Sequence, residues 1–181
     1  MLEGVNAFRA RLIPMTAKSP ERKAALLFVC TGNICRSPTA AGVFARYVLE
    51  AGLQNRIAVD SAGTHDYHVG ETADSRALRA GLARGYDFSA HRARKLGPPD
   101  FHRFNLILAM DEGHLVHMAR LVKPSDAHKL KLMMSFARSH AGRKDVPDPY
   151  YGGPEGFERV LDMLEDAAQG LLAHVREQLL A

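Results

Sequence analysis

The chain has 181 residues, enough for one domain with a sizeable core, and 46% hydrophobic and 24% charged residues are ordinary for a globular protein. Most of the net charge of +4 comes from residues 1–23, and the remaining 19 basic and 18 acidic residues argue against a nucleic-acid-binding protein. No stretch approaches the roughly 20 apolar residues of a membrane span, which excludes that class of protein.

Residues 1–23 contain two prolines and no sustained hydrophobic period. We interpret them as a flexible extension before a single domain over residues 24–181. A basic N-terminal segment is also typical of a targeting peptide, but its two glutamates weaken that interpretation. Because Cys30 and Cys35 are the only cysteines, a secreted disulfide framework is excluded, and we expect a reduced, cytoplasmic setting.

The folded part begins with a short apolar run at residues 24–29, which has no polar alternation. This pattern is typical of a strand buried on both faces of a parallel sheet. A polar loop follows at residues 30–36. Ser37 as cap and Pro38 at the first helical position then predict a helix, and Gly52 closes it.

The later elements alternate between strands and helices. Strands are predicted at residues 57–62, 106–110 and 130–134, and helices at residues 74–83, 112–121 and 157–180. This alternation predicts an α/β domain with an open, four-stranded parallel sheet and helices on both faces. Ligands bind at the carboxyl ends of the strands in such sheets, and residues 30–37, Ser61 and Asp111 are expected there.

The loop at residues 30–37 precedes a helix N-terminus, which presents unpaired N–H groups and a partial positive charge to an anion. We expect Gly32 and Asn33 to adopt the unusual backbone angles that turn successive N–H groups inward. These dipoles and Arg36 would favour the thiolate of Cys30, the reactive form of a cysteine nucleophile. The planar guanidinium of Arg36 matches two phosphate oxygens at once.

The residues of this loop also have more ordinary interpretations. A Cys-x5-Arg spacing is weak evidence by itself, since two free cysteines are often buried hydrophobes, or here a structural disulfide. A Walker-type nucleotide loop is excluded because Gly-Lys-Ser/Thr is missing. The position of the loop between a buried strand and a helix start favours a phosphate site, in which Ser37 would donate a hydrogen bond to the sulfur of Cys30.

Two long motifs in the chain resemble a known family. FVCTGNICRSPT (residues 28–39) resembles the signature of low-molecular-weight protein tyrosine phosphatases, and DPYYG (residues 148–152) resembles their second signature. Shorter segments at residues 60–63, 91–94 and 109–112 resemble family segments in the expected order, so the resemblance runs from about Ala25 to the end. It implies a flavodoxin-like fold of the phosphotyrosine phosphatase I type and hydrolysis of tyrosine phosphate in proteins.

The resemblance also implies roles for individual residues. Cys30 would attack phosphorus to form a cysteinyl-phosphate, Arg36 would bind the phosphate, and Asp148 would act as general acid and then general base. The residues expected to contact substrate are Thr31, Gly32, Asn33, Ile34, Cys35, Ser37, Tyr67, Tyr150 and Tyr151. Asn33 and Ser37, together with Ser61 and His91, would support the loop, and Asp111 is a further candidate. No cofactor or metal is implied.

Cys35 either fills space or, as in relatives, forms a reversible disulfide with the nucleophile, and we favour the redox role. The expected partners are tyrosine-phosphorylated proteins, with inorganic phosphate as product and a monomer or weak dimer as the oligomeric state. The nine histidines form no HExxH or cysteine-rich metal pattern, and we interpret most of them as surface residues.

Three alternative functions remain open. An arsenate reductase on this fold needs further cysteines downstream, and none follows Cys35. A protein-arginine phosphatase of this family has threonine at the position of Ile34 and lacks the paired tyrosines. A non-catalytic phosphopeptide-binding module is disfavoured because Cys30, Arg36 and Asp148 are all present.

Overall fold

A four-stranded parallel sheet forms the centre of the molecule. In the computed structural model, which describes residues 24–181, its strands are β1 (Ala24–Cys30), β2 (Ile57–Gly63), β3 (Leu106–Ala109) and β4 (Leu130–Leu132). Their order in the sheet is β2-β1-β3-β4, and every neighbouring pair is parallel. The extension predicted over residues 1–23 lies outside the described residues.

Five α-helices connect and flank the strands. They are α1 (Arg36–Glu50), α2 (Ser75–Ala83), α3 (Pro98–Arg103), α4 (Glu112–Ala119) and α5 (Pro154–Gln178), with 3₁₀ turns at Pro124–Lys129 and Met133–Phe136. The predicted single α/β domain with a parallel sheet and helices on both faces is confirmed. None of the helices within residues 24–181 combines the length and the apolar character needed to cross a bilayer.

Strand β1 divides the hydrophobic core into two parts. Leu26 and Phe28 pack into a cluster with apolar residues of α1 and α5, whereas Leu27 and Val29 join a second cluster on the opposite face of the sheet. All four side chains are fully buried. Because successive residues of a strand point to opposite faces, a strand covered on both sides needs an unbroken apolar run. The prediction of a doubly buried strand at residues 24–29 is therefore confirmed.

Several predicted boundaries were wrong by a few residues. Helix α5 begins at Pro154 rather than Phe157, because proline suits the first turn of a helix, where its missing N–H costs nothing. Strand β4 ends at Leu132, where a 3₁₀ turn begins, instead of continuing to Met134. Helix α3 was not predicted, because two of its six residues are prolines and its sequence resembles a loop.

The start of α1 also differs from the prediction. Cys35 occupies the cap position and Arg36 is the first helical residue, so Ser37 is not the cap. The hydroxyl of Ser37 faces the sulfur of Cys30 instead. The predicted end of the helix is confirmed, because Gly52 adopts a φ of 69° directly after the C-terminal cap, a conformation that glycine accepts without steric cost.

Candidate active site

The phosphate loop, residues 30–37, joins the carboxyl end of β1 to the N-terminus of α1. The sulfur of Cys30 lies 3.0 Å from Oγ of Ser37, and this hydroxyl also lies 3.4 Å from the carbonyl oxygen of Ala62. The loop lines an open cleft of about 280 Å³. A cysteine at this position faces the free N–H groups and the positive end of the α1 dipole, which stabilise an anion.

Asn33 connects the phosphate loop to two neighbouring segments, β2 and residues 91–94. Its Nδ2 donates to Oγ of Ser37 at 2.8 Å and to Oγ of Ser61 at 2.9 Å. Its Oδ1 accepts from the backbone N–H of Arg94 at 2.9 Å, and its own carbonyl lies 2.7 Å from Nε2 of His91. Since every polar atom of this fully buried side chain is used, Asn33 fixes the shape of the loop.

Asn33 rather than Gly32 takes the left-handed conformation in the loop. The φ of Asn33 is 57°, whereas Gly32 is not among the described residues with positive φ, so the prediction for Gly32 was wrong. Asparagine tolerates this region better than most residues do. What Gly32 provides is space, because a Cβ atom there would lie 2.9 Å from Cδ2 of His68.

His91 is held in its neutral form behind the loop. Burial lowers the pKa of His91 below its usual value, and the hydrogen bond to the carbonyl of Asn33 opposes that change only in part. Because a carbonyl can only accept, Nε2 carries the proton and donates it to Asn33. The position predicted for His91 in the supporting network agrees with this contact.

Arg36 lies between two carboxylates at the side of the cleft. Its Nη1 donates to Oδ2 of Asp111 at 2.8 Å and to the carbonyl of Val146 at 3.3 Å, and its Nη2 donates to Oδ2 of Asp148 at 2.9 Å. The side chain of Asp111 is 23% exposed, whereas that of Asp148 is 45% exposed. The guanidinium therefore has one sheltered partner and one partner open to solvent.

Asp111 is ionised in this arrangement. Burial raises its pKa, but the nearby imidazole and backbone N–H of His114 and the positive charge of Arg36 outweigh burial and hold the pKa of Asp111 well below its usual range. Oδ1 of Asp111 accepts from the backbone N–H of His114 at 2.8 Å and so caps α4. Asp111 thus combines a cap with a contact to Arg36.

His114 corrects the interpretation of the histidines as surface residues. Its side chain is only 6% exposed, and its Nε2 lies 2.8 Å from Oγ1 of Thr31. The available signal was its spacing, since a residue three positions after a helix cap lies beside that cap. Its contact with Thr31, 83 positions earlier in the chain, was not predictable from spacing.

Aromatic side chains form the rim of the cleft. The rings of Tyr150 and Tyr151 meet edge to face with centroids 5.0 Å apart, and Tyr67 stacks on His65 at 5.1 Å. Arg76 donates to the carbonyl oxygen of Tyr150 at 3.0 Å and lies over its ring. All three tyrosines line the cleft, and Tyr151 is 93% exposed.

The predicted site residues gather in one region of the molecule but at two depths. Those that line the cleft are Cys30, Thr31, Gly32, Ile34, Cys35, Arg36, Tyr67, Asp148, Tyr150 and Tyr151. Asn33, Ser37, Ser61 and His91 lie behind the loop, where their side chains are buried. Within residues 24–181, no group of three or more His, Cys, Asp or Glu side chains is placed to hold a metal ion.

A cysteine at a helix N-terminus, beside an arginine and a carboxylate, defines a cysteine-dependent phosphatase site. A sequence model of the family described as low molecular weight phosphotyrosine protein phosphatase matches residues 25–180. A Streptomyces coelicolor low molecular weight protein-tyrosine-phosphatase is 49% identical over 83% of this chain and 93% of that relative. Low molecular weight protein-tyrosine phosphatase A of Mycobacterium tuberculosis is 41% identical over 84% and 91%.

Solved structures agree with the sequence relatives. A protein tyrosine phosphatase from Entamoeba histolytica with Hepes in the active site has a TM-score of 0.82 and 40% identity, over 85% of this chain and 97% of that chain. Vibrio vulnificus Wzb in complex with benzylphosphonate has a TM-score of 0.73 and 29% identity, over 83% and 98%. This chain belongs to the low molecular weight phosphotyrosine protein phosphatase family. Its activity is that family's hydrolysis of protein tyrosine phosphate.

Proposed function

We propose that Cys30, Arg36 and Asp148 carry out the hydrolysis of tyrosine phosphate through a cysteinyl-phosphate intermediate. One observation carries the proposal: the sulfur of Cys30 at the end of β1, the guanidinium of Arg36 and the carboxylate of Asp148 line the same cleft. A nucleophile, a bidentate phosphate ligand and a proton donor are the three groups that this reaction needs.

In the first step, the thiolate of Cys30 forms a bond to phosphorus while the bond from phosphorus to the phenolic oxygen breaks. Asp148 gives its proton to that oxygen, and tyrosine leaves. The loop N–H groups and Arg36 bind the three equatorial oxygens, where the negative charge is greatest. In the second step, water attacks phosphorus, Asp148 takes the proton, and phosphate and the Cys30 thiolate are released.

Ser37 supports both steps in this proposal. Its hydroxyl lies 3.0 Å from the sulfur of Cys30, close enough to donate a hydrogen bond to a thiolate. Such a bond stabilises the sulfur as the leaving group when water attacks the cysteinyl-phosphate. Asn33 donates to the same hydroxyl oxygen at 2.8 Å, so the Ser37 proton points either at the sulfur or at the carbonyl oxygen of Ala62 at 3.4 Å, and the sulfur is the nearer acceptor.

The contact between Asp148 and Arg36 supports the assignment of Asp148 as the acid. The phosphate of a substrate needs Nη2 of Arg36, which now binds Oδ2 of Asp148 at 2.9 Å. Substrate binding therefore releases Asp148 from Arg36, and its carboxyl group can then turn toward the phenolic oxygen that needs a proton.

The substrate class in this proposal is an aromatic phosphate. Tyr67, Tyr150 and Tyr151 at the rim offer flat faces to a phenyl ring, and Ile34 in the loop adds an apolar contact. The benzylphosphonate bound by the related Wzb carries its phosphonate on a methylene group attached to an aromatic ring. These features favour phosphotyrosine over phosphoarginine, and we infer tyrosine-phosphorylated proteins as partners.

A comparison of three peptides tests the substrate class. Peptides of one sequence that carry phosphotyrosine, phosphoserine or phosphoarginine should differ in kcat/KM, with phosphotyrosine at least about 10²-fold ahead because only its ring meets the aromatic rim. Faster turnover of phosphoarginine would contradict the substrate assignment. Cys30→Ser is the control for mechanism, and full activity in that variant would contradict a covalent intermediate.

The cellular setting follows from the two cysteines. Cys30 and Cys35 are both free thiols in the structure, and a thiolate nucleophile works only while it stays reduced. This supports a reducing, cytoplasmic location for the phosphatase domain that we propose over residues 24–181. The proposed oligomeric state is a monomer or weak dimer.

We also propose that Cys35 protects the nucleophile from irreversible oxidation. An oxidant converts the Cys30 thiolate to a sulfenic acid, and the Cys35 thiol then forms a disulfide with that sulfur and releases water. Burial raises the pKa of Cys35 to about 12, so Cys35 stays a thiol at neutral pH. Since thiolates are the oxidation-sensitive form, this supports Cys30 as the first cysteine to react.

A further inference from the structure

Four side chains beside the cleft form a closed polar cycle of contacts. Nε2 of His114 lies 2.8 Å from Oγ1 of Thr31, and Nδ1 of His114 lies 2.9 Å from Oδ1 of Asp111. Oδ2 of Asp111 accepts from Nη1 of Arg36 at 2.8 Å, and Nη2 of Arg36 donates to Oγ1 of Thr31 at 3.4 Å. The cycle therefore joins the second residue of the phosphate loop to the phosphate-binding arginine through α4.

We propose that His114 is a positioning residue. Through Asp111 it sets the orientation of Arg36, and by its contact with Thr31 it keeps the phosphate loop correctly placed relative to Arg36. The inference rests on the proposed role of Arg36 as the phosphate ligand. His114 lies outside the lining of the cleft, so its effect on phosphate must pass through these two neighbours.

The surroundings of His114 favour this role over that of a filler of the core. The contact between its Nδ1 and Asp111 has the distance of an ion pair but not the direction of a good hydrogen bond, so this buried nitrogen has no well-aligned acceptor. Burying a polar ring with one nitrogen poorly partnered costs stability, and a residue that only filled the core would avoid that cost by being apolar.

Asp111 needs a second contact to be held in one orientation. Its Oδ1 already accepts the cap hydrogen bond from the backbone of His114, and that bond alone leaves the carboxylate free to rotate about it. The imidazole at 2.9 Å on the same oxygen restricts this rotation and keeps Oδ2 directed at Arg36. Small errors in the placement of a charged phosphate ligand slow the reaction, since a displacement of about 1 Å can lower the rate roughly 10²-fold.

The two carboxylates on Arg36 have different roles, and this difference explains why Asp111 must be held in place by His114. Asp148 on Nη2 is half-exposed and must leave that nitrogen when phosphate binds. Asp111 on Nη1 is sheltered and can remain during the whole reaction. With His114 in place, the guanidinium keeps its plane while one partner is exchanged for the substrate.

Binding of inorganic phosphate tests the inference independently of turnover. His114→Leu should raise the calorimetric Kd for phosphate about tenfold, and Thr31→Val should raise it about threefold. Because both substitutions break the same cycle, the double variant should bind within twofold of His114→Leu alone. His102→Gln, an exposed histidine on α3, is the matched control and should stay within twofold of wild type.

Each result decides between positioning and a structural role. A lower melting temperature in His114→Leu with an unchanged Kd overturns the proposal, as does a double variant whose loss equals the product of the two single losses. If His114→Leu fails to fold, His114→Gln, which reaches Thr31 but not Asp111, should bind phosphate about threefold more weakly than wild type. A Kd equal to wild type in His114→Gln overturns the proposal.

Failure of this inference can be told apart from failure of the proposed function. Turnover of an aryl phosphate by the wild-type chain, lost in Cys30→Ser, depends on the catalytic residues and not on His114. If that turnover is present and the His114 variants bind phosphate normally, only the positioning role is wrong. If turnover is absent from the wild type, the proposed mechanism fails, whatever the phosphate affinities show.

Discussion

Two loops meet at the cleft, and they differ in how firmly the rest of the molecule holds them. The phosphate loop is buried and hydrogen-bonded from behind by Ser61, His91 and Arg94. The acid loop, residues 146–153, is attached at its start, where the N–H of Val146 donates to Met110 at 2.8 Å, and near its end, where Arg76 donates to the carbonyl oxygen of Tyr150 at 3.0 Å. Between these points it is largely exposed, and Asp148, the proposed proton donor, contacts the phosphate loop through Arg36.

This difference follows from what each loop does. An anion is bound best by dipoles and charges that are already in place, because no energy is then spent on turning them. A proton donor must release one partner and meet another during each turnover, which requires some freedom. Activity should therefore fall when the geometry of the phosphate loop is changed. In the acid loop, activity should fall when the proton-donating group is replaced.

The largest effect is expected from removing the acid. Asp148→Asn should lower kcat for phenyl phosphate about 10³-fold, because an amide cannot protonate the leaving phenolate. The loss should be much smaller for 4-nitrophenyl phosphate, whose leaving group needs no proton. Initial rates on the two substrates measure this difference.

A matched control for Asp148 lies in the segment just before the acid loop. Asp145→Asn makes the same change of charge, and its side chain caps the N–H of Glu112 rather than reaching the cleft. The activity of Asp145→Asn should stay within about twofold of that of the wild type. Equal losses on the two substrates in Asp148→Asn would show that Asp148 does not act as the acid.

The next largest effect is expected from a change of geometry at Arg36 in the phosphate loop. Arg36→Lys keeps the charge but loses the planar fork that reaches Asp111 and Asp148 together, so kcat/KM should fall about 10²-fold. Arg46→Lys is the control on the same helix, where the side chain pairs with Glu50 at the surface. Retention of more than a third of wild-type activity in Arg36→Lys would mean that charge alone binds the phosphate.

A smaller effect should appear in stability as a function of pH. Burial lowers the pKa of His91, with weaker opposing effects from Asn33 and Asp60 and weaker supporting effects from Arg92 and Arg94. Below the ordinary histidine pKa of about 6.5, the unfolded chain therefore binds a proton that the folded chain does not. The free energy of unfolding must then fall as pH decreases, at up to about 1.4 kcal/mol per pH unit.

The variant His91→Gln isolates this contribution. Glutamine can still donate to Asn33 but cannot take up a proton, so urea unfolding should show the stability gap to wild type narrowing by about 1 kcal/mol between pH 7 and pH 5. Parallel curves for the two proteins would mean that His91 titrates alike in the folded and unfolded states.

The same two loops show how much the sequence could predict. The strand, loop and helix around Cys30 were predictable because their signals are local: an apolar run, a polar loop and a proline near the helix start. The role of Asp148 came from a family resemblance and not from local pattern, and its contact with Arg36, 112 positions earlier, was not predicted. The left-handed conformation expected at Asn33 is confirmed, whereas the one expected at Gly32 is not, because the residue type alone shows which positions tolerate this conformation and not which of them adopts it.

His114 shows why the remainder could not be predicted. A histidine on a short helix usually faces solvent, and only the parallel pairing of β1 with β3 brings this one to the phosphate loop. Its partner Thr31 directly follows β1, whereas His114 lies on the helix that follows β3. Which histidine is buried was therefore set by the order of the strands, and a single sequence carries no local signal for that order.

The smallest effect on turnover is expected at Cys35, inside the firmly held loop. Cys35→Ser should keep kcat within about threefold, because a hydroxyl of similar size replaces a thiol that is protonated at neutral pH. After a short exposure to hydrogen peroxide, wild type should recover its activity with dithiothreitol, whereas Cys35→Ser should not. Peptide mapping of oxidised wild type should find Cys30 joined to Cys35.

The oxidation experiment also tests how rigid the phosphate loop is. Both cysteines are buried in the same apolar cluster, and disulfide formation must draw Cys35 toward the sulfur that Ser37 now contacts. If oxidised wild type contains only sulfonic acid at Cys30, the loop is too rigid to close that bond, and Cys35 serves packing alone. Recovery by dithiothreitol would instead show that the loop is held firmly against phosphate and can still rearrange locally once its sulfur is oxidised.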